Sequence, residues 1–182
     1  PSFVEHFDRY GLPIVAPMTQ RSWWSDRICA EFDSQLTTES FLLDYVIPFI
    51  QKRFNATPPS LGLLGTGMGG QGALRFAYKY PDTFPVVVAI SPAIDYHLRI
   101  DEGDDVLCQL YSDTETARQD TATLHIHPLN WPRHQFFCSD PTNPHWHEGA
   151  ERLRMKLQSL GVPHESDLDT VVRGRGFTYY TK

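Results

Sequence analysis

Residues 60–76, SLGLLGTGMGGQGALRF, carry the most specific motif of the chain, and two interpretations fit it. After an apolar run, Gly65, Gly67 and Gly70 match the G-x-G-x-x-G pattern of dinucleotide-binding domains. The same residues match the G-x-S-x-G nucleophile elbow of hydrolases, a strand–turn–helix unit, with Gly67 at the serine position. The first interpretation predicts a cofactor domain, and the second predicts a hydrolase fold without its nucleophile.

The residues that follow favour the elbow. A dinucleotide site needs an acidic residue at the end of the next strand, about 20 residues on, to bind the ribose. That strand, VVVAI, is followed by Ser91, and Asp95 lies beyond Pro92. Nucleotide binding is therefore the alternative, and the elbow is the main interpretation. Glycine also suits an elbow, because the turn is strained for any residue with a side chain.

Length, composition and charge are those of an ordinary globular protein. The 182 residues predict one domain, 1–182, with its own core. A net charge of -6 gives no basic surface for nucleic acid or an anionic membrane, so neither is an expected partner. No run approaches the roughly 20 apolar residues of a membrane span, and no signal peptide is visible. Three cysteines without a C-x-x-C are typical of reduced thiols, so we expect a cytoplasmic location.

Short apolar runs alternate with helical patterns along the chain. Strands are predicted at LPIVAPM (12–18), SLGLLG (60–65), VVVAI (86–90), HQFFC (134–138) and SDLDTVV (166–172). Helices are predicted to start at Thr37 or Thr38, and to cover residues 69–80, 112–120 and 148–160. VVVAI does not alternate, which indicates burial on both faces and a parallel sheet. The predicted fold class is α/β, with a mostly parallel sheet of five strands and flanking helices.

Residues 65–97, GTGMGGQGALRFAYKYPDTFPVVVAISPAIDYH, resemble the esterase D-like branch of the α/β-hydrolases. Members show a G-x-S-M-G-G-x-G-A-L elbow and helix, then P-x-x-F, a strand and S-P, and only the serine is absent here. SWWSD (22–26), IPFIQKRF (47–54) and GRGFTYY (174–180) extend the resemblance, the last being similar to a family tail G-H-x-W-x-Y-W. The resemblance implies an α/β-hydrolase-like fold whose N-terminal strands are missing from this chain. In the family's sheet, one of the missing strands lies between the strands that correspond to LPIVAPM and SLGLLG.

The resemblance also implies the positions of a catalytic triad. The nucleophile position is Gly67, the general-base position is Arg175, and the acid is Asp140, with Asn143 as an alternative. Arginine stays protonated to pH ~12 or beyond, so it cannot accept a proton from a hydroxyl. The residues therefore predict a degenerate triad. A working esterase that uses another nucleophile is the alternative, with these candidates: Ser91, Ser139 and Cys138.

The remaining predictions concern the pocket and its ligands. By resemblance, the amide of Met68 belongs to an oxyanion hole, Trp23 and Trp24 line the pocket mouth, and His97 lies at its rim. The resemblance also implies that Arg175 lies beside a helix N-terminus, where we expect a small molecule or small anion as the ligand and no cofactor; the alternative is that Arg175 folds outward and pairs with a surface acid such as Asp169. The pairs His125/His127 and His145/His147 lack further ligands at a recognisable spacing, so no metal site is expected.

Overall fold

A computed structural model describes residues 3–171 of the chain. Its centre is a parallel sheet with the strand order β1-β2-β3-β4. The strands are β1 (Gly62–Thr66), β2 (Val86–Ile90), β3 (His134–Cys138) and β4 (Glu165–Asp167). Because each strand pairs with the next one along the chain, the intervening segments cross over the sheet and carry the helices.

Helices fill these connections and precede the sheet. Their bounds are α1 (Phe3–Arg9), α2 (Thr38–Phe41), a π-helical turn (Leu42–Val46), α3 (Ile47–Phe54), α4 (Met68–Lys79), α5 (Leu98–Asp101), α6 (Asp105–Leu110), α7 (Thr114–Gln119), a 3-10 turn (Ala122–Leu124) and α8 (Pro144–Ser159). Thr37 caps α2, its hydroxyl accepting from the amide of Ser40 at 3.1 Å. None of the helices among residues 3–171 is long and apolar enough to cross a membrane.

The parallel α/β architecture is confirmed, but the fifth strand is not. Residues 12–18 form no strand, although Val15 and Pro17 turn inward while Ile14 and Met18 are exposed. This period-two alternation is that of an extended chain. A strand exists only through pairing, and β1 pairs with β2 alone within the described part of the chain. The prediction of a strand at LPIVAPM is therefore wrong for these residues.

The two faces of the sheet differ in burial. On one face Val87 and Phe137 are fully buried, and the Tyr78 hydroxyl of α4 donates to Gln135 at 2.9 Å. On the other, which we call the open face, the residues are exposed or half-buried: Leu64, Val86, Val88, Phe136 and Glu165. Within residues 3–171 the predicted burial of VVVAI on both faces is not observed, because helix α4 covers one face and the described elements leave the other partly exposed.

Candidate functional site

Gly67 forms the turn between β1 and α4 with φ 53° and ψ -119°. Its amide donates to the Ile90 carbonyl at 3.0 Å, and its carbonyl accepts from the amides of Gln71 at 3.1 Å and Ala93 at 2.9 Å. Residues with a side chain rarely adopt such a positive φ, and here it occurs at the predicted elbow position. A Cβ added at Gly67 would meet no atom within 4 Å. The turn therefore has the shape of an elbow, with open space where a nucleophile would stand.

Neighbouring glycines are explained by close packing of the strand, turn and helix. A Cβ on Gly65 would lie 2.1 Å from the Gly69 carbonyl oxygen, and one on Gly70 would lie 3.2 Å from Pro92. Gly65 thus excludes a side chain through backbone contact, and at Gly70 a side chain would need Pro92 to shift by a few tenths of an ångström. Neither glycine requires a bound phosphate to account for it.

Two of the alternative nucleophiles, Ser91 and Ser139, directly follow β2 and β3, at positions that correspond to Gly67 after β1. Ser91 donates its amide to the Cys138 carbonyl at 2.7 Å, and Ser139 donates to Asp167 at 3.1 Å, repeating the bond that Gly67 makes to β2. With strands about 4.8 Å apart, Ser91 lies one strand and Ser139 two strands from the elbow. Ser91 has a φ of 44°, whereas Ser139 is fully buried. No histidine in the described residues hydrogen-bonds to either hydroxyl.

Asp140, the predicted acid, follows β3 and is buried. Its Oδ1 accepts from the amide and the hydroxyl of Thr142, at 2.8 and 2.7 Å. This arrangement is an Asx turn, which orders the loop before α8. Asn143 stands at the start of α8 and donates its amide to the Asp140 carbonyl at 3.0 Å. Arg175 lies outside the described residues, so its relation to Asp140 stays a prediction.

Trp23 and Trp24 lie against α4 and the loops beyond the sheet. Trp23 stacks on Tyr96 with ring centroids 5.1 Å apart, and it is only 6% exposed. The Trp24 ring covers Gly72, where a Cβ would lie 2.5 Å from the indole. Both tryptophans have a positive φ, 54° and 55°. Gly72 is therefore required for this contact, and Trp23 is buried in the protein whereas Trp24 is half-buried.

Helix α4 also holds the two tryptophan backbones. The Gln71 side chain donates to the Trp23 carbonyl at 3.5 Å, and Arg75 donates to the Trp24 carbonyl at 3.2 Å. Gln71 and Arg75 are one helical turn apart and are both fully buried. The helix that begins at the elbow thus fixes the strained tryptophan pair as well.

Arg75 is the centre of a buried network of charges that sequence analysis missed. Its guanidinium lies 2.6 Å from Glu39 and 2.6 Å from Asp120. Lys79 and Tyr80 also bind Glu39, with Lys79 at 2.6 Å. The signal for this network was present: Gln71 and Arg75 stand four apart on the apolar stripe of a helix, where polar side chains need buried partners.

The network controls the ionisation of its two carboxylates. Burial alone would raise the pKa of Glu39, but hydrogen bonds from Lys79 and Tyr80 and the charge of Arg75 outweigh it, so the pKa is lowered. Burial likewise opposes ionisation of Asp120, yet the hydrogen bond with His125 and the charge of Arg75 hold its pKa below the usual range. Both groups are therefore charged at neutral pH.

Met68 and His97 occupy the loops around the elbow. Met68 is the first residue of α4, so its amide has no acceptor within the helix. Its side chain packs against the cluster around Trp23 and Tyr96. His97 precedes α5 and is half-buried, burial lowers its pKa, and its Nδ1 has no partner in the described part of the protein.

The histidine pairs have local partners. His125 lies 3.3 Å from Asp120, and His127 Nδ1 accepts from the amide of Leu129 at 3.1 Å. The His145 ring packs edge-on against Trp146, and His147 lies 3.7 Å from Glu151. Among the residues that the structure describes, no three or more His, Cys, Asp or Glu side chains are grouped to hold a metal ion.

Two surface clefts lie at the opposite, amino-terminal edge of the sheet. One, of about 360 Å³, runs along the starts of β2, β3 and β4 and includes Val86, Phe136 and Glu165. The other, of about 470 Å³, lies between Pro59 and Trp131. Neither cleft contacts Gly67, so neither belongs to the elbow.

Comparison with solved structures shows which proteins share this fold. FphF, a fluorophosphonate-binding serine hydrolase of Staphylococcus aureus, has a TM-score of 0.74 at 13% identity, covering 97% of this chain and 69% of its own. A ferulic acid esterase has a TM-score of 0.61 at 17% identity, and the match covers 79% of this chain and 55% of the esterase. The capsule O-acetyltransferase of Neisseria meningitidis serogroup A has a TM-score of 0.60 at 17% identity, and the match covers 88% of this chain and 63% of the acetyltransferase. At these identities the likeness shows a common fold.

The sequence comparisons identify the family. The chain spans 55 and 63% of the esterase and the acetyltransferase, which are therefore longer proteins. Comparison with curated protein sequences gave no match. The profile of the family described as "Putative esterase" matches residues 12–166, which is most of the chain and includes strands β1, β2 and β3 and the start of β4. The chain therefore belongs to this esterase family and has the α/β-hydrolase fold.

Proposed function

We propose that this protein retains the fold of a serine esterase without its hydrolytic chemistry, and that the remaining site binds a small molecule. The observation that carries the proposal is Gly67, which has the elbow's φ of 53° but no side chain. Serine hydrolysis requires an oxygen nucleophile at that point and a base beside it. This chain offers glycine at the first position and, by resemblance, arginine at the second.

The ligand class follows from the same residues. The first amides of α4, including that of Met68, have no acceptor within the helix and carry partial positive charge. Arg175, if it occupies the family's base position, adds a planar fork of donors suited to carboxylate or phosphate. With open space above Gly67, a small anion fits directly against the amides. The proposed ligand is therefore a carboxylate or phosphate group.

Ester hydrolysis and anion binding test the two halves of the proposal. Purified wild-type protein should hydrolyse p-nitrophenyl acetate and butyrate no faster than buffer. Its melting temperature should rise in acetate or phosphate relative to chloride of matched ionic strength, and this rise should vanish in Arg175→Ala. Arg118→Ala is the matched control, because Arg118 is exposed and pairs only with Glu115 in the described part of the chain. Equal responses of wild type and Arg175→Ala to every anion would rule out the anion site.

One observation favours a second candidate, an esterase that uses Ser91. This serine has a φ of 44° at the end of β2, one strand away from Gly67. A positive φ for serine stores strain, and such strain is concentrated at functional sites. If turnover survives purification, Ser91→Ala should abolish it, whereas Ser112→Ala, at an exposed turn, should not.

A further inference from the structure

The cleft of about 470 Å³ at the amino-terminal edge of the sheet combines apolar walls with hydrogen-bonding side chains. Its volume lies within the range of about 300–1,000 Å³ that is usual for small-molecule sites. Four prolines and Trp131 line it together with three polar residues, Asp82, Asn130 and Arg133. We propose that this cleft, which we call the proline cleft, binds a neutral sugar ring. The proposal does not depend on the function proposed for the elbow.

Three neighbouring segments, each leading into a strand, form the proline cleft. The starts of β1, β2 and β3 lie side by side in register. The segment before β1 contributes Pro59, the one before β2 contributes Pro85, and the one before β3 contributes Trp131. The first and third segments are two strand spacings apart, which is roughly 10 Å between backbones. A single ring therefore fits between the two walls.

The walls of the cleft are held in place before a ligand binds. Proline has a fixed φ, so the segments around Pro59 and Pro85 have little freedom to lose on binding. Trp131 is half-buried and packs against the main hydrophobic core, which restrains its ring at the cleft. A ligand that stacks on this indole therefore needs little reorganisation of the protein.

The polar side chains of the proline cleft have no partners within residues 3–171. Asp82 and Arg133 are exposed, and they form no ion pair with each other or with another described residue. The side-chain amide of Asn130 and the indole N–H of Trp131 likewise form no hydrogen bond in this part of the chain. One cleft thus holds a free carboxylate, a free guanidinium, a free amide and a free indole N–H.

These groups favour a sugar over other small ligands. One carboxylate and one guanidinium leave the lining without net charge, which disfavours a simple anion or cation. An apolar ligand would cover the polar groups without satisfying their hydrogen bonds, at a cost in free energy. A sugar hydroxyl both donates and accepts, so it can bind Asp82, Asn130 and Arg133 alike. The C–H face of the sugar ring supplies apolar area that can stack on the indole of Trp131.

Peptides fit the proline cleft less well than a sugar ring does. The gap of roughly 10 Å between backbones excludes a helix, whose diameter with side chains is about 10–12 Å. Proline-rich peptides bind grooves that aromatic side chains line, and Trp131 is the one aromatic residue among the described residues around this cleft. One ring stacked on Trp131 therefore matches the cleft better than a peptide.

Titration of the full chain with sugars, followed by the NMR signal of the Trp131 indole N–H, tests the proposal. This signal is assigned by its loss in Trp131→Phe. Of the probes glucose, galactose and xylose, at least one should shift the signal saturably and leave that of the buried Trp23 unmoved. Glycerol, a polyol without a ring, should not shift it. The trisaccharide of the responding sugar should bind at least as tightly if the source is a longer glycan, and more weakly if it is a free sugar.

Replacement of one polar residue separates recognition from folding. Asp82→Ala alters an exposed side chain, so the urea midpoint should not change, whereas sugar binding should weaken about tenfold, the loss expected for a hydrogen bond to a charged group. Asp44→Ala, at an exposed carboxylate outside the cleft, is the matched control and should bind sugar as wild type does.

Four outcomes would overturn the proposal. The first is that no sugar shifts the Trp131 signal, and the second is that glycerol shifts it equally. The third is that wild type and Asp82→Ala bind sugar alike. The fourth is that a tetraproline peptide or a nucleoside shifts the signal and the sugars do not.

Discussion

Single residues decide whether chemistry can occur at the elbow. A serine at position 67 would still need a base to take its proton, and an arginine at 175 cannot do so. Gly67→Ser should therefore hydrolyse p-nitrophenyl acetate no faster than wild type. Gly67→Ser with Arg175→His should gain measurable turnover, because members of a triad act as a unit. Robust turnover by Gly67→Ser alone would show that the base position has been misassigned.

The loss in free energy of unfolding when a glycine is replaced by alanine should differ between Gly67 and Gly72. At Gly67 a Cβ meets nothing within 4 Å, so Gly67→Ala should cost only the backbone strain of its positive φ, about 1–3 kcal/mol. At Gly72 a Cβ would lie 2.5 Å from the Trp24 ring, so Gly72→Ala adds a clash and should cost more. Urea unfolding of both variants measures the difference. An equal loss in the two would mean that the space above Gly67 is not open.

At the scale of elements, Arg75 ties α4 to α2 and to the end of α7. Removing one partner of a buried ion pair leaves the others uncompensated, at a cost of about 3–5 kcal/mol. Arg75→Met keeps most of the packing and should lower the free energy of unfolding by that amount. Arg118→Ala, which breaks an exposed pair, should leave the urea midpoint unchanged. A loss of under about 1 kcal/mol in Arg75→Met would contradict the role assigned to the network.

The same network predicts how stability depends on pH. The pKa values of Glu39 and Asp120 are lowered in the folded protein from ordinary values near 4. Below pH ~4 the unfolded chain therefore binds more protons than the folded one, and stability falls as the pH falls. Urea midpoints between pH 7 and 3 should show this loss, and Arg75→Met should flatten it. A wild-type urea midpoint that does not change between pH 7 and pH 3 would contradict the lowered pKa values of Glu39 and Asp120.

The elements that sequence could predict are those defined by local pattern. Strands β1, β2 and β3 and the helix after the elbow come from apolar runs bounded by turn residues. Residues 12–18 have a strand's pattern but no partner among residues 3–171, and pattern alone cannot supply one. Helix α8 begins at Pro144, four residues before the predicted start, because proline suits the first turn of a helix.

The whole molecule determines the rest of the site. Gly67 and its neighbouring glycines were identifiable from one motif, because the elbow is a local structure. The partners of Arg75 lie 36 and 45 residues away along the chain, so only the folded protein brings them together. The exposure of Leu64 and Val86 on the open face, as described for residues 3–171, also follows only from the assembled sheet. The motif thus predicted the turn at Gly67, whereas the loss of the nucleophile stays a prediction, and the tertiary structure shows which contacts hold α4 and the Trp23–Trp24 segment in place.

Covalent labelling of the intact chain tests the central claim most directly. Fluorophosphonates react with activated serine nucleophiles, and FphF, a fluorophosphonate-binding hydrolase of the same fold, serves as the positive control. After incubation with a fluorophosphonate, the intact mass of the wild-type protein should be unchanged while FphF gains one probe. Stoichiometric labelling of a serine in the native protein, absent after heat denaturation, would contradict the claim that the serine-hydrolase chemistry has been lost.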